Sequence, residues 1–281
     1  MVRIITDSAA DFEPEELKAL GVDCVPLGVS FGDKDYLENE NLSKEQFYRL
    51  LRESKEFPRT SHPGPFVYER IMREVAEAGD TAVLITISSA ISGTYQTAVM
   101  AQREAGAEHR CRVVDGHTAT GGQRILVEEA VRMRDEGMTY LEIADAVEAL
   151  HYRLRIFACI DTLEYLYRGG RIPKLAYTLG TAANIKPIIT VAKDGSVQVA
   201  AKMLGQHRGM NYVLKQFRAD PPDPNYPIYF MYTEDPENGE KLMEYMNKNG
   251  ENFTDNRVIP VGAAIGSHVG PGGCGLVYVA K

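Results

Sequence analysis

The residues able to do chemistry in this 281-residue chain gather in a few polar turns. The richest is ISSAISGTYQTA (87–98), where an apolar run gives way to Ser88, Ser89, Ser92, Gly93 and Thr94 and then to a helical pattern. A helix start leaves unpaired N–H groups and a partial positive charge, and neighbouring hydroxyls donate as well, so this turn suits a carboxylate or a phosphate. The same spacing also serves plain capping by Ser92. RTSHPGP (59–65) puts Thr60 and Ser61 before a proline-stiffened helix start, again as caps or as anion contacts, with His62 read as a surface or structural residue. YLYRGGRIPK (165–174) sets Arg168 and Arg171 around two glycines. Glycine allows positive φ and adds no bulk, so both guanidiniums can project toward a carboxylate, a phosphate or a docking partner, or end as solvated charges at a helix terminus. GSHVGPGGCG (266–275) places His268 in a Gly-rich turn, where a ligand can approach the imidazole or the imidazole can hold its own loop.

Other motifs fail on context. Gly270, Gly272 and Gly275 match GxGxxG, but the six residues after Gly275 read as a strand, and a dinucleotide fold needs a helix and a later acidic residue there. GVSFG (28–32) matches GxSxG, yet Ser30 lies within an alternating run with no helix behind it. The sequence has no P-loop and no HExxH, and its six histidines lack metal-ligand spacing, so no metal is expected. Cys24, Cys111, Cys159 and Cys274 form no CxxC pair and read as buried free thiols of a reducing cytoplasm. A net charge of −8 argues against non-specific nucleic-acid binding and against an anionic membrane surface. The first apolar stretch is too short for a signal segment, and TAVLITI (81–87) is strand-sized, so neither export nor an integral membrane segment is expected.

The elements that must position these turns alternate. VRIIT (2–6), TAVLITI and CRVVD (111–115) read as strands, with helices at Pro14–Leu20, around Val67, Ile71 and Val75, from Ser92 to about Gly106, and at Gly121–Glu136. Val25, Leu27, Val29 and Phe31 alternate as one strand; Ser43 with Gln46, and Thr139 with Glu142, are capping boxes. This pattern predicts a parallel sheet with helices on both faces. Beyond about residue 150 come the strand RIFACI (155–160), a short helix ending at Gly169, and a hairpin turning at Asp194-Gly195. A proline-rich loop (221–227), a strand, a helix and two closing strands, VIPVG and GLVYVA, complete the chain. The expectation is an α/β protein of two α/β domains: residues 1–150 with a mainly parallel sheet, residues 151–281 with a mixed sheet, and a ligand between or beside them.

At ITDS (5–8), the Thr60-Ser61 turn, ISSAISGTYQTA, DTLEYLYRGGRI (161–172), IKPII (185–189) and SHVGPGG (267–273), the sequence resembles the DegV family over nearly its whole length. The resemblance implies a lipid-binding protein of two α/β domains. It also implies the fatty acid-binding subunit of a bacterial fatty acid kinase, in which a separate ATP-binding kinase subunit phosphorylates the carried carboxylate. By position, Thr60 and Ser92 match the carboxylate-binding hydroxyls, with Ser61, Gly93 and Thr94 beside them, and His268 matches the histidine near the head group. Arg168 and Arg171 match a turn associated with kinase docking. Two departures stand out: TSHPG where TSQPS is usual puts His62 in place of a glutamine, and VVDG where VIDS is common removes a hydroxyl at Gly116. So read, the chain is not itself a catalyst and takes no cofactor beyond its long-chain fatty acid. Tail burial drives binding: fourteen methylenes at ~0.8 kcal/mol each give ~11 kcal/mol before entropic costs. Two other readings of the residues remain, a serine hydrolase using Ser30 or Ser92 with His268, and a small-anion sensor at the helix start after Ser92.

Overall fold

In the computed structural model, which describes residues 1–178, 184–253 and 257–281, the chain alternates strand and helix. In order, its first half runs β1 (Val2–Asp7), α1 (Pro14–Leu20), β2 (Val22–Val25), β3 (Gly28–Phe31), β4 (Lys34–Leu37), α2 (Lys44–Glu53), β5 (Arg59–Ser61), α3 (Pro65–Glu77), β6 (Thr81–Thr86), α4 (Thr94–Glu104), β7 (Cys111–Asp115), α5 (Thr120–Asp135) and α6 (Tyr140–Leu150). The second half runs β8 (Leu154–Cys159), α7 (Glu164–Arg168), α8 (Lys174–Thr178), β9 (Ile185–Val191), β10 (Val197–Leu204), α9 (Gln206–Ala219), β11 (Tyr229–Tyr232), α10 (Pro236–Lys248), β12 (Arg257–Pro260), α11 (Ala263–Val269) and β13 (Cys274–Val279).

Before residue 150 the strands form a parallel sheet ordered β2-β1-β6-β7 and a small antiparallel sheet ordered β4-β3-β5. After it they form one mixed sheet, β10-β9-β8-β13-β11-β12, antiparallel except for the β11–β12 pair. Both expected capping boxes close, and Gly21 ends α1 at φ 60°. The Asp194-Gly195 hairpin joins β9 to β10.

One helix serves both large sheets. α5 is buried on nearly every side, which is the pattern of a helix covered all round. Its Ile125, Leu126 and Ala130 share a core with Ile4 and Val83 of the parallel sheet and with Ile156, Tyr229 and Val277 of the mixed sheet. Glycine makes that approach possible: a Cβ on Gly121 would lie 2.6 Å from Val277, and one on Gly122 would lie 3.0 Å from Ile156.

Two expectations need correction. The alternating run from Val25 to Phe31 is not one strand but two, in different sheets. Pro26 has no N–H for a ladder, and the Leu27 N–H is taken by Ser8 Oγ at 2.9 Å, so the chain leaves one sheet and enters the other there. His268 is not in a Gly-rich turn but in α11; the turn begins after it, at Gly270, φ 78°. Gly266 hides that helix in the sequence. It is glycine because a Cβ there would sit 2.7 Å from both the Phe47 ring and Tyr48 Oη.

Candidate functional site

Between the sheets lies a cavity of about 1080 Å³, counted out to solvent at its opening. Its floor is one face of the mixed sheet. Ile156 and Ala158 on β8, with Ile160 beyond it, and Ile189 and Val191 on β9 all line the cavity, the every-second-residue pattern of a strand face. Leu27, Ile87, Ile91 and Ala119 come from the first half of the chain, and Ala264, Ile265 and Val269 from α11. Burial grades along it, from exposed Ser61 and His62 to buried Ile156, Ile189 and Met231. The exposed pair marks the mouth.

Polar groups collect at that mouth. Thr60 and Ser61 reach it from β5, paired with Val29 and Gly28 of β3. Ser92 and Gly93 come from the loop after β6, which is pinned by Ile87 N–H donating to Asp7 and Ser89 N–H donating to Asp115. His268 Nε2 lies 2.9 Å from Thr60 Oγ1, and its Nδ1 has no partner among the described residues. Burial and the nearby Arg171 cation push the imidazole down to about 4, so it is neutral at pH 7. With its proton on Nε2, it donates to Thr60 and leaves the threonine hydroxyl free to donate outward. Of the other lining hydroxyls, Thr120 donates to Asp11, and Thr233 accepts from Gly273 N–H at 2.6 Å.

The expected site residues are therefore brought together in part. Thr60, Ser61, Ser92, Gly93 and His268 converge on the mouth. Thr94 does not line it. It is fully buried, with its hydroxyl 2.8 Å from Ser92 Oγ, so it steadies Ser92 instead. Ser92 is not the cap of α4, whose N-cap is Gly93, and its oxygen is 3.4 Å from the Thr94 N–H. His62 packs over Gly93, where a Cβ would come 3.1 Å from the imidazole. Gly116 lies outside the lining, and a side chain there would press on the Thr86 carbonyl, so its missing hydroxyl removes nothing from the cavity.

The two arginines part ways. Arg168 is exposed, ion-paired with Glu164 at 2.7 Å and stacked on Phe57. Arg171 does not project. It lines the cavity and donates to the carbonyls of Ile91, at 2.9 Å, and Gly169. Ser30 sits in β3 opposite Asp35 and Arg59, outside the lining, and among the described residues neither Ser30 nor Ser92 hydrogen-bonds to His268. The apolar floor was invisible in the sequence, where its residues look like ordinary core.

A family profile matches residues 1–281, that of the DegV family of uncharacterised proteins. The chain belongs to the DegV family. A DegV domain-containing protein of Caldanaerobacter subterraneus subsp. tengcongensis is 31% identical to it, with 100% of this chain and 99% of that one covered. A DegV family protein from Thermus thermophilus, solved for its fatty acid binding, superposes with a TM-score of 0.88 at 31% identity, covering 100% of this chain and 99% of its own. A stearic acid-binding protein from Eubacterium ventriosum superposes with a TM-score of 0.89 at 28% identity and the same coverage. Among the described residues, no helix is long and apolar enough to cross a membrane, and no group of three or more His, Cys, Asp or Glu is placed to hold a metal ion. All four cysteines are free thiols; Cys24 is half-buried and the other three buried.

Proposed function

We propose that this DegV family chain carries one long-chain fatty acid, with its tail in the cavity and its carboxylate at Thr60, Ser61, Ser92, Gly93 and His268. The observation that carries this reading is the cavity's one-sided polarity: apolar walls that include Ile156, Ile189 and Met231, with the hydroxyls of Thr60, Ser61 and Ser92 gathered at the mouth. A neutral His268 suits an anionic head, since it holds Thr60 with its hydroxyl free to donate outward, without the cost of a buried cation. Two of the structural relatives are described as binding fatty acids, one of them stearic acid, which supports a long-chain ligand.

On this proposal the carboxylate is presented to a separate ATP-binding kinase subunit. A carboxylate oxygen attacks the γ-phosphorus of ATP held by that subunit, the bond to ADP breaks, and an acyl phosphate remains. Exposed Arg168 beside the mouth is the proposed docking contact, and the shared ATP places the reaction in the cytoplasm. Purified protein should release fatty acid on solvent extraction, seen by mass spectrometry, and delipidated protein should take it up again. A delipidated sample that binds short carboxylates as tightly as long ones would favour an anion sensor instead. With the kinase subunit and ATP added, hydroxylamine should trap the product as a hydroxamate.

A further inference from the structure

The ITDS segment and the acid that follows it have no place at the mouth, yet they lie directly behind it. Asp7, Asp11 and Glu38 are at most 1% exposed. Three buried carboxylates in one place carry a heavy desolvation cost, and the fold meets it with donors drawn from distant parts of the chain. Asp11 Oδ1 accepts from Gly262 N–H at 2.9 Å, and Glu38 Oε1 accepts from Ala264 N–H at 3.2 Å. Those N–H groups belong to the N-cap and the first turn of α11, the helix that bears His268. The second oxygen of Glu38 takes the Ser8 hydroxyl at 2.6 Å, while Lys44 Nζ donates to the Asp11 carbonyl at 2.6 Å and to Glu13 at 2.8 Å. Both carboxylates press on the same α-carbon: a Cβ on Gly262 would lie 2.3 Å from Glu38 Oε1 and 2.8 Å from Asp11 Oδ1.

We propose that Glu38 and Asp11 are positioning residues for His268: by gripping the start of α11 from two sides, they fix the helix so that the imidazole meets Thr60 at the mouth. This rests on the head-group reading of His268 given above. A seven-residue helix has little stability of its own, so its placement comes from its anchors. Neither acid touches the cavity; both act through α11.

The test compares palmitic acid with hexadecanol, which has the same tail and no carboxylate. Affinities come from displacement of a fluorescent fatty acid from the delipidated protein. His268→Ala should lower the acid-to-alcohol affinity ratio. Glu38→Ala should lower the same ratio by about ten-fold, the effect of one misplaced charge-assisted hydrogen bond. Glu38→Gln keeps an acceptor for Ala264 N–H, so it should keep most of the ratio; it also serves should the alanine variant fail to fold. In the His268→Ala background, Glu38→Ala should change the ratio no further, since both act through one imidazole. A Glu38→Ala protein that loses acid and alcohol affinity equally, or neither, overturns the proposal while the head-group reading stands. A His268→Ala protein with an unchanged ratio overturns the head-group reading, and the positioning role with it.

Discussion

The mouth of the cavity and the acidic hub behind it draw on similar side chains but use their hydrogen bonds differently. In the hub, each carboxylate oxygen of Asp7, Asp11 and Glu38 has a donor, and each donor belongs to an element that must be held. At the mouth, His268 Nδ1 has no partner among the described residues, and Ser92 Oγ is held only within its own turn, by the hydroxyl and N–H of Thr94. Polarity alone does not separate a scaffold from a binding site; here the hub carboxylates have both oxygens engaged, while the mouth hydroxyls face a cavity.

That contrast predicts opposite signatures. Asp7→Ala strips acceptors from Ile87 N–H, Ala9 N–H and Gln123, so it should destabilise the fold by about 3–5 kcal/mol, seen as a lower midpoint in urea. A variant with unchanged stability would place the hub outside the scaffold. Ser92→Ala removes one donor from the mouth and should weaken fatty acid binding by ~1.5–3 kcal/mol while the urea midpoint holds. Should the midpoint fall while binding persists, the two regions would have exchanged roles.

The pH response sharpens the contrast further. Burial raises Asp7 and Asp11 to about 6 and Glu38 to about 7. Their stabilising contribution is therefore complete below the unfolded values of 3.8 and 4.5 and is lost as pH rises through 6 to 7. His268 works in the other direction. Its folded value is depressed from 6.5 to about 4, so its contribution is present above 6.5 and fades as pH falls toward 4. Glu38→Gln should thus gain stability over wild type between pH 5 and 8, by a few kcal/mol at most. Melting temperatures across that range measure it, and a constant gap between the two proteins would mean that Glu38 titrates normally.

Gly169→Ala is a subtler way to disturb the mouth. The added methyl would lie 2.1 Å from His268 Nδ1 and must displace the imidazole from Thr60. Its φ of −73° accepts alanine, so binding should drop several-fold, on the order of 1 kcal/mol, with little change in stability. The smallest effect is expected at Arg168. Its exposed ion pair contributes at most about 1 kcal/mol, so Arg168→Ala should leave stability and lipid uptake alone and slow only acyl-phosphate formation. An equal loss of lipid uptake would make it part of the mouth.

Local rules were readable in the sequence. The capping boxes, the Asp194-Gly195 hairpin and the alternation of strand and helix depend on neighbours a few residues apart, and they formed as read. Thr60, Ser92 and His268 could be singled out because hydroxyls and an imidazole beside glycines look unlike core. Tertiary contacts hid the rest. Gly266 looked like a turn residue because the Phe47 and Tyr48 rings that forbid a side chain lie more than two hundred positions away. Arg171 looked like a surface charge because the carbonyl of Ile91 that holds it belongs to another loop. Glu38 carries no signal of its own in the sequence; only the fold sets Ala264 N–H against it.

α5 carries a last consequence. Because that helix is roofed by one sheet and floored by the other, neither half has a finished interior by itself. A chain cut near residue 150 would leave Ile125, Leu126 and Ala130 wet along one flank, so the halves should melt together in a single cooperative step rather than in sequence.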